Sequence, residues 1–271
     1  MRILTFNVWQ LPLVSLVGPR RRRARLAAAL IERVAPDVVV LNEAFGLSPA
    51  VALLGGLRGY RATAQVGRPG GRWTSVSGRR GTVSRLVGGG IWVLSRYPID
   101  QAHQHVYHSY RRGTSDALCN KGVALVSLAT PAGSIWLAAT HLQADTYDNW
   151  HAVRMAQLTE LRGLVDRVVP AGEPALIAGD LNISYHRIGP EVRDANRILG
   201  GRIEPNGPIH AHTFDRETNP LVREGFYREV LDYVGKLAGP WHIRTETIGY
   251  QPGAEISDHF PVLADVSLTL T

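Results

Sequence analysis

Short runs of β-branched and apolar residues recur along the chain, bounded by glycine, proline or charge. They predict strands over residues 3–9, 37–42, 60–66, 90–95, 123–128, 135–140, 175–178, 231–234, 242–247 and 261–267. Two longer segments carry the helical period instead. Over residues 20–34, Leu26, Leu30, Ile31 and Val34 form one apolar stripe, and Pro36 stops the helix. Over residues 149–169, Leu158, Leu161, Val165 and Val168 recur on one helical face. Strands outnumber helices and interleave with them, which predicts an α/β layered sandwich of packed sheets with helices outside. Residues 67–90, rich in Gly, Arg and Ser, read as a long loop. Strand patterns on both sides of that loop need partners, and no repeat or low-complexity linker divides the chain. It reads as one domain over residues 1–271.

The informative residues are polar ones at the ends of these apolar runs. Asn7 follows residues 3–6, Glu43 follows 38–42, and His141 follows 135–140. Asp180 and Asn182 follow 175–179, while Asp258 and His259 precede 260–266. A single strand-end Asn or Asp is an ordinary turn residue. Repeated ends carrying only Asn, Asp, Glu and His are different, because carboxylates and amides beside core strands need partners or a cation. If the strands share a sheet edge, these groups converge on one pocket. Oxygen donors with few imidazoles suit a hard cation such as Mg2+. Two histidines supply acid and base near neutral pH. Those are the parts needed for water attack on a phosphate ester.

Composition narrows the class. The 45% hydrophobic and 20% charged residues are those of a globular chain, long enough to fold without a disulfide or metal staple. Cys119 is the single cysteine, so an intrachain disulfide and a multi-cysteine zinc site are excluded. No window reads as a membrane span. The net charge of +7 comes almost wholly from arginine, since Lys121 and Lys236 are the only lysines. A solvated, arginine-biased surface is the default reading; attraction to nucleic acid or anionic lipid is the alternative. The same choice applies to the run Arg20, Arg21, Arg22 and Arg23. It opposes the macrodipole at a helix start, so it is not there for helix stability.

Together the motifs resemble the endonuclease/exonuclease/phosphatase superfamily. They are the opening run ending in Asn7, Leu41-Asn42-Glu43, Thr140-His141-Leu142, Gly179-Asp180-Leu181-Asn182, Leu231-Asp232-Tyr233 and Ser257-Asp258-His259, in that family's order. Asn120-Lys121-Gly122, His141-Leu142-Gln143, Thr213-Phe214-Asp215 and Asn219-Pro220-Leu221 resemble its sphingomyelinase branch, as does the helix with Arg154, Gln157 and Leu158. The resemblance implies a deoxyribonuclease-I-like four-layer α/β sandwich, two mixed sheets flanked by helices. It implies Glu43 as the principal Mg2+ ligand, with Asn7 nearby and Asp258 at the metal or beside the base. It implies His259 as the base that activates water, and Asp232 as the group that orients it. His141 would stabilise the phosphate or protonate the leaving alkoxide. Asp180 and Asn182 would bind phosphate, water or a second metal. Lys121 would stabilise phosphoryl charge, and Asp116 would hold or switch Lys121. A lysine at one position in an arginine-biased chain points to a role arginine does not fill.

The implied reaction is Mg2+-dependent hydrolysis of a phospholipid head-group ester, most directly sphingomyelin to ceramide and phosphocholine. Mn2+ or Co2+ would substitute for Mg2+. A nuclease or soluble phosphodiesterase on the same scaffold is the alternative, and a binding module without activity is a third. The expected partner is a phospholipid membrane surface, with nucleic acid less favoured and no obligate protein partner. Between Asp232 and Asp258 the aromatic residues are Tyr233, Trp241 and Tyr250, with no adjacent pair, so a lipid contact would fall to Trp73 or residues 11–17. As given, the chain shows no leader and reads as cytoplasmic; a mature form beginning at an added Met would be secreted.

Overall fold

The computed structural model describes residues 1–11, 20–45, 53–68, 70–79, 88–144, 150–185, 189–203, 212–223 and 228–269. Among the described residues, twelve strands form two mixed six-stranded sheets. The first holds β1 (Arg2–Asn7), β2 (Val38–Asn42), β3 (Arg61–Ala62), β5 (Trp92–Ser95), β11 (Trp241–Thr247) and β12 (Val262–Leu268), in the order β11-β12-β1-β2-β5-β3. The second holds β4 (Ser75–Gly78), β6 (Ile99–Val106), β7 (Gly122–Thr130), β8 (Gly133–His141), β9 (Ala175–Asp180) and β10 (Asp232–Ala238), in the order β10-β9-β8-β7-β6-β4.

Strand alternation divides the core into layers. Ile3, Val38, Val40, Val126, Leu137, Leu176, Ala178 and Val234 meet between the sheets. The opposite faces of the first sheet, with Leu4, Phe6, Val39 and Leu41, pack on α1 (Arg20–Val34). The opposite faces of the second, with Leu125, Ala138 and Ile177, pack on α2 (His151–Val168) and α3 (Gly189–Leu199). The result is the four-layer α/β sandwich expected from the motifs.

α1 occupies the predicted span, with Leu30 and Ile31 buried and Leu26 and Val34 partly so. Its arginine run is not a simply solvated cluster. Arg20 donates to Gln10 O, Arg22 to Gly253 O, and buried Arg23 to Ile256 O and Trp9 O. These bonds join the helix start to the segment after β1 and the segment before β12, at one edge of the first sheet. The strand expected over residues 60–66 shortens to β3 at the sheet edge, where Arg61 and Ala62 are exposed. Trp73 is half-buried against the inter-sheet core rather than free for lipid. Residues 12–17 of the other suggested lipid contact lie outside the described residues.

Three elements were not expected: β4, β6 and α3. β6 reads as polar, yet His103, Gln104 and His105 are buried. Ser75 and Ser77 on β4 bond the two imidazoles at 2.8 and 3.0 Å. Glu160 on α2 bonds His105 Nε2 at 2.8 Å and accepts the backbone N–H groups of His108 and Ser109 at 2.7 and 2.9 Å. Burial pushes the Glu160 carboxyl up, but these hydrogen bonds prevail and hold it at about 2. This one carboxylate anchors the start of the loop between β6 and β7 to α2. Because its folded pKa lies below its ordinary 4.5, its contribution is present above about 4.5 and lost as pH falls towards about 2. The stability difference between the protein and Glu160→Gln is therefore expected to shrink as pH drops through that window. Urea unfolding midpoints across pH test this, and a pH-independent difference would refute it.

Candidate active site

The inward stripes of β1, β2, β8 and β9 each end in a polar residue, and on β1 Thr5 is polar as well. Along β1 it runs Ile3, Thr5, Asn7; along β2, Val38, Val40, Asn42; along β8, Leu137, Ala139, His141; along β9, Leu176, Ala178, Asp180. β1 and β2 run parallel, as do β8 and β9, so their C-terminal ends lie at one edge of their sheets. β7, β10 and β12 run antiparallel to these neighbours and therefore begin at that edge. Lys121 precedes β7, Asp232 opens β10, and Asp258 and His259 precede β12.

Amide groups tie the two sheets together here. Asn7 Nδ2 donates to Asp180 Oδ2 at 2.9 Å. Asn42 Nδ2 donates to Thr140 O at 3.0 Å, and Asn42 Oδ1 accepts Asp180 N at 3.0 Å. Asp180 Oδ1 accepts Asn182 N at 3.0 Å. Glu43 and Asn182, just beyond their strands, adopt left-handed φ values of 53° and 51°. Non-glycine residues in that region are strained and recur at functional sites.

His259 Nδ1 bonds Asp232 Oδ2 at 2.8 Å, and its Nε2 lies 3.9 Å from Asp180 Oδ2. Burial opposes charge on this imidazole, but Asp232 and Asp180 outweigh it and raise its pKa well above the usual histidine value. Burial and the charge of Asp180 raise the Asp232 carboxyl to about 6, against the opposing pull of His259. His141 behaves oppositely: burial first, then the charges of Lys121 and His259, keep it neutral.

Lys121 Nζ donates to Asp116 Oδ2 at 2.7 Å, His141 Nε2 at 2.9 Å and Leu142 O at 2.8 Å. An ammonium has three protons, so this arrangement uses them all. Lys121 thus holds His141 in place rather than offering a spare donor. Asp116 is held in turn by Gln143 Nε2 and Ala144 N, at 3.1 and 2.6 Å. Gln143 N donates to Gln157 Oε1 at 2.8 Å, and Arg154, ion-paired with Glu191, reaches Gln143 O. The Thr213 and Asn219 motifs buttress the edge from outside. Thr213 Oγ1 accepts Leu231 N and Asp232 N, Phe214 packs on the His259 ring, and Asn219 Nδ2 bonds Ser257 O. Behind Lys121, a Cβ on Gly89 would lie 2.3 Å from Asn120 O, so that position accepts only glycine without movement.

The donor set suits a divalent cation. Glu43 Oε2 is shielded from water and has no hydrogen-bond partner. Burial, then the negative charge of Asp258, raises the Glu43 carboxyl to about 7. A divalent cation bound there would relieve that penalty. Asp180, Asp232 and His259 also bring ligand atoms within 4.8 Å of one another. Their closeness already has an explanation, because His259 is bonded to Asp232 and both Asp180 oxygens accept other donors. Glu43, with one carboxylate oxygen unclaimed, is the better anchor.

Residues 4–259 match the profile described as Endonuclease/Exonuclease/phosphatase family. The chain belongs to this family. It is 30% identical over 256 residues to Sphingomyelinase C of Listeria ivanovii, covering 84% of this chain and 74% of that protein. Among solved structures, Sphingomyelinase C from Streptomyces griseocarneus is similar at TM-score 0.79 and 26% identity, covering 97% of this chain and 98% of that one. A beta-toxin variant from Staphylococcus aureus, solved with bound magnesium ions, shares the fold at TM-score 0.86 and 24% identity, over 97% and 98% of the two chains. The chain thus falls in the sphingomyelinase C branch of the endonuclease/exonuclease/phosphatase family, as its motifs implied.

The structure brings Asn7, Glu43, Asp180, Asn182, Asp232, Asp258, His141 and His259 to one edge, with Lys121 and Asp116 behind His141. Sequence reasoning quoted Asn42 and Gln143 inside motifs but gave neither a role. For Asn42 the signal was present: an amide on the inward face of an otherwise apolar strand. Asn42→Leu would leave the Asp180 N–H and the Thr140 carbonyl without their partner, costing about 3 kcal/mol. A lower urea midpoint is the expected result, and an unchanged one would remove Asn42 from the inter-sheet tie.

Proposed function

We propose that the chain is a divalent-metal-dependent phosphodiesterase that hydrolyses sphingomyelin to ceramide and phosphocholine at a phospholipid surface. Its branch of the family supports the substrate. One observation carries the chemistry: the Asp232–His259 pair stands beside Asp180 at the sheet edge where Glu43 holds an unclaimed oxygen. Mg2+ is the metal of choice for these oxygen donors, and Mn2+ or Co2+ would replace it. Glu43 would hold it, with Asn7 and Asp258 as further ligands. When bound, the cation polarises the phosphoryl group, acidifies water and offsets the carboxylates' pull on the His259 proton.

The chain's own residues do the rest. Asp232 accepts the Nδ1 proton of His259, which fixes the ring with Nε2 towards the pocket chemistry. Nε2 takes the proton of the attacking water as its oxygen bonds phosphorus and the P–O bond to ceramide breaks. Asp232 and Asp180 stabilise the imidazolium that forms, and the ceramide oxygen leaves with a proton from solvent. His141, kept neutral and oriented by Lys121, serves the phosphoryl oxygens as a hydrogen-bonding group. Asn182, half-exposed beside Asp180, orients phosphate. Lys121 and Asp116 are positioning residues in this scheme.

The test is phosphocholine release from sphingomyelin vesicles after metal removal, with and without added Mg2+. Release is expected only with metal. His259→Ala should lower it about a hundredfold to ten-thousandfold with the fold intact. Glu43→Gln should raise the Mg2+ requirement by more than the roughly 10–100-fold that losing an outer-sphere partner costs. Metal-independent release, or full activity in His259→Ala, would sink the mechanism. No release from folded, Mg2+-loaded protein would sink sphingomyelin as substrate.

A further inference from the structure

Among the described residues the exposed large hydrophobic side chains are Leu118 and Val76, at 61% and 47%. Leu118 ends the short 3-10 turn Ser115–Leu118 in the loop between β6 and β7. That turn carries Asp116, and Lys121 follows just beyond it. The surroundings of Leu118 are cationic and aromatic. Arg111 and Arg112 are exposed in the same loop. The Arg111 guanidinium lies 5.3 Å over the Trp150 ring, and that of Arg79 lies 3.9 Å over Tyr110. A hydrogen bond from Arg112, with the charge of Arg79, holds the Tyr110 phenol below its usual value. Arg79 Nη2 reaches Cys119 O at 3.5 Å, next to Leu118. The loop's one acid, Asp116, is already paired with Lys121. Arg79, Tyr110, Asp116, Cys119 and Lys121 line one small cleft, so this rim adjoins the site.

We propose that the loop between β6 and β7 docks the protein on an anionic lipid bilayer, with Leu118 entering the interface and Arg111 and Arg112 facing lipid phosphates. This rests on the lipid reading above and adds the face that meets the membrane and the charge it selects. An exposed aliphatic side chain among guanidinium groups and half-buried aromatic rings suits the boundary between head groups and acyl chains. A nucleic acid would engage the arginines and rings but would leave Leu118 without a partner, which favours the bilayer. The stretch between Asp232 and Asp258 does not compete for this role. Its Tyr233 and Trp241 are buried, and the Tyr250 hydroxyl bonds His259 O.

The test is co-sedimentation of the full chain with phosphatidylcholine vesicles, with and without phosphatidylglycerol, over a range of salt. These vesicles hold no sphingomyelin, so binding is read apart from turnover. The protein is expected to prefer the anionic vesicles and to lose that preference at high salt. Arg111→Gln with Arg112→Gln should weaken binding about fivefold per arginine. Leu118→Ser should weaken it about tenfold. Both variants should retain the thermal midpoint and the hydrolysis of a short-chain, monomeric sphingomyelin. Equal partition of protein and variants, or indifference to phosphatidylglycerol, would overturn the docking surface. Duplex DNA binding lost in the same variants, without vesicle binding, would also overturn it by assigning the rim to nucleic acid. Charge-dependent vesicle binding without hydrolysis of any sphingomyelin would support the surface while removing the substrate assignment.

Discussion

The site depends on closing the space between two sheets with polar groups. Inward stripes that begin apolar end in Asn7, Asn42, His141 and Asp180. These residues cannot simply terminate the core, because each brings a donor or acceptor into a region with little water. They satisfy one another instead. Asn42 alone supplies one bond to a backbone carbonyl and accepts one from a backbone N–H of the opposite sheet. Asn7 reaches across to the Asp180 carboxylate. The bonds that keep the sandwich edge from opening therefore also aim the carboxylate that lies beside His259. Fold and chemistry share the same atoms at this edge.

Electrostatics then separates the two imidazoles. His259 faces Asp232 and Asp180, which favour its protonated form; His141 faces the Lys121 ammonium, which disfavours it. Burial is the largest cause at both rings and disfavours charge, and only at His259 do Asp232 and Asp180 outweigh it. The Lys121 charge is itself held in place through Asp116 by Gln143 and Ala144, and the Gln143 backbone is gripped by Gln157 and Arg154 on α2. Helix α2 thus acts on the chemistry at a distance by fixing a chain of hydrogen bonds. A helix that looks like a core layer in the sequence is also the support for one histidine.

The sequence made the layers legible because strand and helix periods are local. The span of α1 followed from its apolar stripe and Pro36, and strand ends pointed to the polar residues that meet at the edge. What escaped was structure whose justification is nonlocal. β6 buries two histidines that make sense only beside Ser75, Ser77 and Glu160, and a glutamine whose Oε1 accepts the distant Gly67 N. α3 does carry Val192, Ala195 and Leu199 at helical spacing, but that is a thin signal over 11 residues beginning Gly189-Pro190. Its buried Glu191 looks wrong until Arg154 is placed against it. At the site, residue types and order were readable, whereas the division of labour was not. That Lys121 has all its protons engaged depends on a carbonyl, a carboxylate and an imidazole from different segments.

Backbone strain at the edge follows from the same geometry. Among the described residues, four non-glycine residues have positive φ: Trp9, Ala35, Glu43 and Asn182. Three of them lie just beyond β1, β2 and β9, at the ends that supply the site. A chain leaving a parallel strand must turn at once if it is not to bury the pocket, and glycine makes that turn at the least steric cost. Glycine at position 43 or 182 would remove a carboxylate or an amide. Each such residue costs of order 1–3 kcal/mol in backbone strain, and the surrounding bonds must hold it there. They do: Gln10 N is bonded to Glu43 O, Ala44 N to Gly90 O, and Asn182 N to Asp180 Oδ1. The close approach of Gly90, where a Cβ would lie 3.1 Å from the Glu43 Cα, belongs to the same clamp. The turn is kept strained because a residue that relaxed it would lack the side chain that the roles proposed for Glu43 and Asn182 require.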